Sequence, residues 1–439
     1  WLKPYWLKAP RCPTLPAGMA ALSLLLLAGA IGGAGAALCN PTDSCPKLSD
    51  GLYCPVNDVT EHGDINRDVK LIKDHLGATP PAYAAAKEVY EEGNHSSKGA
   101  GNMRTLKALA LKDMTVSGKY TNTFYSGAVD MYGSTEAVWH NIMMDCFDGA
   151  GNCSGKSDKF RKYVLNKGAI GIVTAYVTYE MGAAVWKAAD GSTSDAGAPY
   201  AWDEAAAFYV GNIAPVIGDG VTGGAPGNLY SPYEFNWKRD ADFPDGTVTH
   251  TAALTVLNYG LVHLRGSAYN DTKVLEAQQS MHKIFAIAAI RSAIKYSWKT
   301  YNDGSFKDYY LAEAWAYWRS ASGYIGQTSA ANKERVKEVD MLLDLSLTNM
   351  SATTPCTVKT TVEAMYQDLG ITCAMVGQWK DAQGCLADAC SDNGVAVPAL
   401  GELGASTPYV DMCKPSDAGV AARHGPTSAL AAALAAAAA

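Results

Sequence analysis

The stretch "PYAWDEAAAFYVGN" places Asp203 and Glu204 at the head of a run of alanines and aromatics. Carboxylates on an apolar face are costly to bury unless a cation or hydrogen-bond donors compensate them. A second stretch, "LAEAWAYWRS", repeats the pattern: Glu313 matches Glu204, and Tyr317 and Trp318 match Phe208 and Tyr209. In both copies an aromatic follows the glutamate by four residues and shares its helix face. Facing helices that each supply a carboxylate, supplemented by histidine, are how helical bundles hold iron or manganese. Glu204 and Glu313 are therefore the leading metal-ligand candidates. Asp203 has no counterpart in the second copy. It reads first as an acidic residue in a helix's first turn, where the dipole favours negative charge, and second as a co-ligand.

Glu180 lies in "AYVTYEMGAAVW", a segment apolar nearly all round, which predicts burial. A buried carboxylate needs a metal, a cation or a raised pKa, and Arg291 on the matching upstream helix is the rival partner. Glu136 and His140 stand at i,i+4 in "STEAVWHNIMMD", a spacing that suits two ligands on one face. His282, at the start of the apolar run in "QQSMHKIFAIAAI", completes the candidate set, with His250 and His263 weaker. Glu88, Glu91 and Glu92 read as a solvated helix end. The chain carries no GxSxG, HExxH or Walker loop, and no GxGxxG in a strand–helix context. These absences favour a binding protein over an enzyme.

The elements that must position these residues are helices. "DINRDVKLIKDHLG" spaces Ile65, Val69, Ile72 and Leu76 on one face and ends in glycine; "PPAYAAAKEVYEEGN" opens on prolines and stops at Gly93. The later segments follow the same style, and alternating strand patterns are nearly absent. A long apolar helix ending in Trp-Lys precedes each glutamate stretch, at an offset of about 109 residues. The prediction is a mainly α fold: an antiparallel helical bundle with an internal helix-pair duplication, and a disulfide-braced C-terminal appendage.

The chain has 439 residues, 48% hydrophobic and 18% charged, with a formal charge of −7 and a pI near 5.6. That supports a packed core and excludes a nucleic-acid partner. "MAALSLLLLAGAIGGAGAALCN" reads as a secretory signal. Ten of the 11 cysteines lie from Cys39 onward, without CxxC spacing, favouring disulfides over zinc. Cys146 and Cys153 flank the turn-rich "FDGAGN" and suit a local bridge. Sequons at Asn94, Asn152, Asn270 and Asn349 fit a secreted glycoprotein. The end, "SDAGVAARHGPTSALAAALAAAAA", has the layout of a lipid-anchor signal, with a low-complexity helical tail as the alternative. The expected division is 1–37 upstream residues and signal, 38–350 helical domain, 351–413 Cys-rich appendage, and 414–439 alanine-rich tail.

The exported, Cys-bearing helical chain resembles the Fea family, the low-iron-inducible periplasmic proteins of algae. The segments that carry the resemblance are "PPAYAAAKEVYEEGNHSS…GNMRTLKAL", "WDEAAAFYVGN" and "YYLAEAWAYWRSASGYI". A more distant similarity links the DEA-aromatic helix to the imelysin-like group, whose GxHxxE signature is not present. The resemblance implies a periplasmic or secreted protein that binds iron, Fe(III) or Fe(II), outside the plasma membrane. It would pass that iron to a membrane iron transporter or ferrireductase system. Ferric iron is hard and favours carboxylate, phenolate and some imidazole ligands, the groups these helices supply. An imelysin-like metal-dependent peptidase and a metal-free structural cell-surface glycoprotein are the alternatives.

Overall fold

A computed structural model describes residues 48–49, 52–213, 229–301 and 305–390. The signal-like segment, Cys39, Cys45, Cys413 and the alanine-rich tail lie outside the described residues. Twelve helices of nine residues or more stand among those described. They are α1 (Ile65–Gly77), α2 (Tyr83–Glu92), α3 (Thr123–Tyr132), α4 (His140–Asp148), α5 (Asp158–Ala189), α6 (Ala198–Val210), α7 (Pro232–Asp242), α8 (Thr249–Leu264), α9 (Asp271–Tyr301), α10 (Asp308–Gln327), α11 (Ala330–Leu342) and α12 (Thr354–Glu363). The described strands are one two-residue pair, Val116–Ser117 with Tyr120–Thr121. The fold is mainly helical, as the periodicity predicts.

Local chemistry sets the helix ends. Ser157 caps α5 by accepting from the Phe160 amide, and Ser231 and Glu234 form a reciprocal capping box at α7. The sequence misplaces three boundaries. "STEAVWHNIMMD" breaks at Trp139 into Thr135–Val138 and α4, so Glu136 and His140 do not share one continuous helix. The fully buried Trp139 ring packs edge-on against Trp315, and anchoring it takes precedence over helical continuity. The α6 helix begins at Ala198, with Pro199 in its first turn, so Asp203 is not a first-turn acid. His282 lies in the middle of α9, not at its start.

The two helix pairs that carry the matching glutamate stretches pack against one another. Tyr176 meets Phe208 while Glu180, one turn on, meets Glu204, one turn back, so α5 and α6 run antiparallel. Tyr296 against Tyr317 and His282 against Tyr324 set α9 and α10 antiparallel likewise. Tyr163 beside Tyr309 and Lys167 beside Glu313 show α5 and α10 running in the same direction. Although α5 is long and apolar enough to cross a membrane by length and composition, 83% of its most apolar window is buried inside the protein. It is the core helix around which the others pack.

Close helix approach is built in where α3 crosses α10. A β-carbon on Gly127 would stand 2.2 Å from the Gly323 carbonyl oxygen, and one on Gly323 would stand 2.2 Å from the Ala128 amide nitrogen. Backbone cannot yield there as a flexible side chain can. Gly323→Ala is expected to cost about 1–3 kcal/mol by overpacking, read as a lower urea midpoint at unchanged slope. An unchanged midpoint would show that the helices separate freely.

Disulfides join Cys146 to Cys153, Cys356 to Cys385 and Cys373 to Cys390, and Cys54 is also disulfide-bonded. The local 146–153 bridge closes the turn-rich loop as its sequence suggests. The C-terminal segment is held on the bundle by Arg291, which donates to the carbonyls of Met375 and Val376. Arg291 pairs with Asp240 at 2.5 Å and not with Glu180, which removes the rival cation proposed for that glutamate.

Candidate functional site

Glu204 stands at the centre of the one place where the candidate residues meet. His62 Nε2 lies 2.7 Å from Glu204 Oε1, with both side chains only partly exposed. On the other side Glu204 shares a side-chain hydrogen bond with Glu180, which also bonds Tyr176. Two carboxylates at hydrogen-bond distance cannot both stay charged without a cation between them, so the pair holds a proton. Burial, and then the Glu204 charge, push the Glu180 carboxyl well above the usual carboxylate range. Tyr176 is pushed up by burial and then by Glu180. Tyr200 is pushed up by burial and then by Glu204. Arg104 faces the same group, its guanidinium 5.7 Å from the Phe208 ring centroid and in the field of Tyr176, Glu204 and Glu180.

The sequence builds this site through a clamp. Asp203 is fully buried and accepts from Tyr53 Oη at 3.1 Å, the Val56 amide at 2.9 Å and the Asn57 amide at 3.1 Å. Burial pushes its carboxyl up to about 8, against the pull of these donors. Its oxygens are thereby engaged by the N-terminal lead-in, and the role is positioning. That lead-in runs directly into the turn Thr60–Gly63, which carries His62. Gly211 ends α6 at a positive φ of 72°. Its α-carbon lies so close to Asn66 that a β-carbon would sit 2.1 Å from Nδ2. The middle of α6, through Asp203, and its C-terminal end, through Gly211, therefore hold the segment that delivers His62 to Glu204.

The remaining candidates lie elsewhere. Glu313 pairs with Lys167 at 3.3 Å. Lys167 and Glu180 are thirteen positions apart on α5, which is roughly 20 Å at about 1.5 Å per residue. The two glutamates of the matching stretches thus lie in separate layers of the helices. Glu136 is fully exposed, and hydrogen bonds to its own amide and to Ser134 lower its pKa. His140 Nδ1 lies 3.0 Å from Tyr90 Oη, and burial, then Lys107, push its imidazole down. His282 is buried between Phe124 and Tyr324, its Nε2 without a hydrogen-bond partner and its pKa pushed down to about 3 by burial. Sequence reasoning missed His62, Tyr176, Tyr200 and Arg104. Only the tyrosines carried a signal, one turn before Glu180 and one before Glu204.

Among the described residues no group of three or more His, Cys, Asp or Glu converges in metal-holding geometry. His62, Glu204 and Glu180 form a chain, with Glu204 bonded on both sides. The donor set is nonetheless that of a hard cation: two carboxylates, an imidazole and flanking phenols. A cation entering the chain would take the place of the shared proton and of the His62–Glu204 contact.

The raised Glu180 pKa has a stability consequence. The folded chain keeps a proton that the unfolded chain loses near pH 4, so metal-free stability is full below that range. It falls as pH climbs toward about 8. Asp203, also raised to about 8, adds a slope of the same sign. Glu180→Gln removes one contribution, so urea midpoints followed from about pH 5 to pH 8 are expected to fall less steeply in the variant than in the parent. Parallel curves would show that Glu180 is ionised throughout.

A model of the family described as low iron-inducible periplasmic protein matches residues 21–399. No curated protein matches the chain. No solved structure matches it either.

Proposed function

We propose that this chain, which belongs to the low iron-inducible periplasmic protein family, captures iron outside the plasma membrane at the Glu180–Glu204–His62 chain. The family is periplasmic and low-iron-inducible, so the protein works where iron must be collected before import. The observation that carries the reading is the proton-sharing pair Glu180–Glu204 with His62 at 2.7 Å. It is a mostly buried acidic site whose proton a cation can replace. Iron is the cargo, held by the carboxylates and imidazole, with Tyr176 and Tyr200 as phenol donors at the rim. Arg104 keeps the site from becoming so acidic that any divalent cation fills it. The protein acts as a binding protein and hands iron on to a membrane transporter or reductase system.

Ferric phenolates absorb in the visible, so the proposal has a spectroscopic test. Adding Fe(III) to the metal-free protein is expected to produce a visible charge-transfer band, which Tyr176→Phe weakens or removes. A full iron complement without such a band would exclude the tyrosines as ligands. Metal analysis of protein taken from iron-containing medium distinguishes iron carriage from a purely structural glycoprotein. The four sequon asparagines are all exposed, so glycosylation is sterically compatible with either role.

A further inference from the structure

We propose that a second site, where α1, α5, α7, α9 and α10 meet, binds a small multivalent oxyanion of the phosphate or polycarboxylate type. Its cations are Lys73, Lys167, Lys238, Arg239 and Lys295. Lys167 reaches Glu313 at 3.3 Å and lies over the rings of Tyr163 and Tyr317. Arg239 and Lys295 share one carboxylate, Asp242, at 2.8 and 2.7 Å. Lys238 is half-buried beside Lys167 and Arg239 and makes no ion pair among the described residues. Lys73 is in the field of both Lys167 and Lys238.

The local acids are Glu234, Asp242 and Glu313, with Asp74 in the field of Lys73, so five cations face four carboxylates in a chain whose overall charge is −7. Glu234 is further occupied in accepting the Tyr230 and Ser231 amides. Like charges gathered in a partly desolvated place repel one another, and an oxyanion relieves that repulsion. The surroundings bear the mark of this crowding. Burial and then neighbouring cations push Lys73 down to about 8 and Lys295 down to about 7.

Two further atoms point to a ligand. The Tyr317 hydroxyl and Arg239 Nε are buried without a hydrogen-bond partner, on side chains 1% and 0% exposed. Both are donors, as an oxyanion requires. Lys73, Lys238 and Tyr163 reach the surface and give the entry side. The Lys167 end of α5 is roughly 20 Å from Glu180 along the helix, so this cluster is separate from the iron site.

The test is calorimetric titration of the full chain with inorganic phosphate and, separately, with citrate, at about neutral pH and low salt. Saturable binding of one equivalent is expected; phosphate alone would identify an inorganic ligand, and citrate an organic acid. Lys238→Gln is expected to weaken binding about tenfold, as is the paired Lys167→Gln, Glu313→Gln variant, which leaves no buried charge unmatched. Circular dichroism and urea midpoints confirm that the variants fold. Glu180→Gln, Glu204→Gln is expected to bind the anion as the parent does. Failure of both anions to bind, affinity unchanged in Lys238→Gln, or loss in the Glu180, Glu204 variant would overturn the proposal.

Discussion

Iron titrated into a Glu180→Gln, Glu204→Gln double variant is expected to bind at least about 100-fold more weakly than to the parent. Altering even a residue that only orients a metal ligand commonly costs 10–100-fold, and this variant removes two anionic ligands outright. Glutamine is nearly isosteric with a protonated glutamate. The change therefore keeps side chains of the same size that can still hydrogen-bond to each other, and takes away the pair's ability to ionise around a cation. The comparison with Glu313→Gln is decisive for placement. Glu313 faces Lys167 at the far layer of the bundle, so that variant is expected to bind iron within about twofold of the parent. Equal losses in the two variants would mean that the duplicated glutamates act together after all, through a rearrangement larger than a side-chain shift. His62→Ala is expected to give an intermediate result, since it removes the imidazole ligand and frees Glu204 Oε1.

Arg291→Ala is expected to cost about 3–5 kcal/mol of folding stability, the range for breaking a buried charge pair. Arg291 is fully buried and ties four groups together. It pairs with Asp240 at 2.5 Å and donates to the carbonyls of Val376, Thr247 and Met375 at 2.8, 3.0 and 3.0 Å. Removing it leaves two buried acceptors and one part-buried acceptor without that donor and leaves Asp240 with only His250 and Thr249. Burial pushes the Asp240 carboxyl up, but His250 and Arg291 outweigh it and hold the pKa below the ordinary value. That pairing contributes stability above the unfolded aspartate pKa, and the contribution is lost as pH falls through the folded value. The loss in Arg291→Ala should thus be largest near neutral pH and shrink in acid. A midpoint change worth less than about 1 kcal/mol at neutral pH would mean that this network is hydrated and dispensable. Because Arg291 also holds Met375 and Val376, protease sensitivity of the Cys373–Cys390 region is expected to rise in the same variant.

Much of this architecture is legible in the sequence where its causes are local. Gly77 and Gly93 mark helix ends because the backbone signal is contained in neighbouring residues. Cys146 and Cys153 find each other because the loop between them is short. Glu180 is recognisable as buried because the stretch of helix around it is apolar nearly all round. The site itself depends on contacts across the chain, and these leave no local pattern. His62 reaches Glu204 only because Asp203 captures the Tyr53–Asn57 backbone, and nothing in "WDEAAAF" states which donors Asp203 will meet. The same fact explains why Asp203 resembled a solvent-facing helix start: an acid next to apolar residues looks the same whether water or buried amides satisfy it. The two antiparallel helix pairs are legible in the matching glutamate stretches, but the convergence of their glutamates, expected from that match, is not found. Sequence alignment of Glu204 with Glu313 says that they occupy equivalent positions in two hairpins, and the parallel run of α5 with α10 then keeps them a stretch of helix apart.

The central claim is that Glu180, Glu204 and His62 hold iron, and an equilibrium Fe(III) titration of the metal-free full chain against a competing chelator tests it most directly. The account predicts one tightly held iron per chain, bound with release of protons at neutral pH and lost in Glu180→Gln, Glu204→Gln. No uptake beyond that of the chelator control, or the same uptake in the double variant as in the parent, would contradict it.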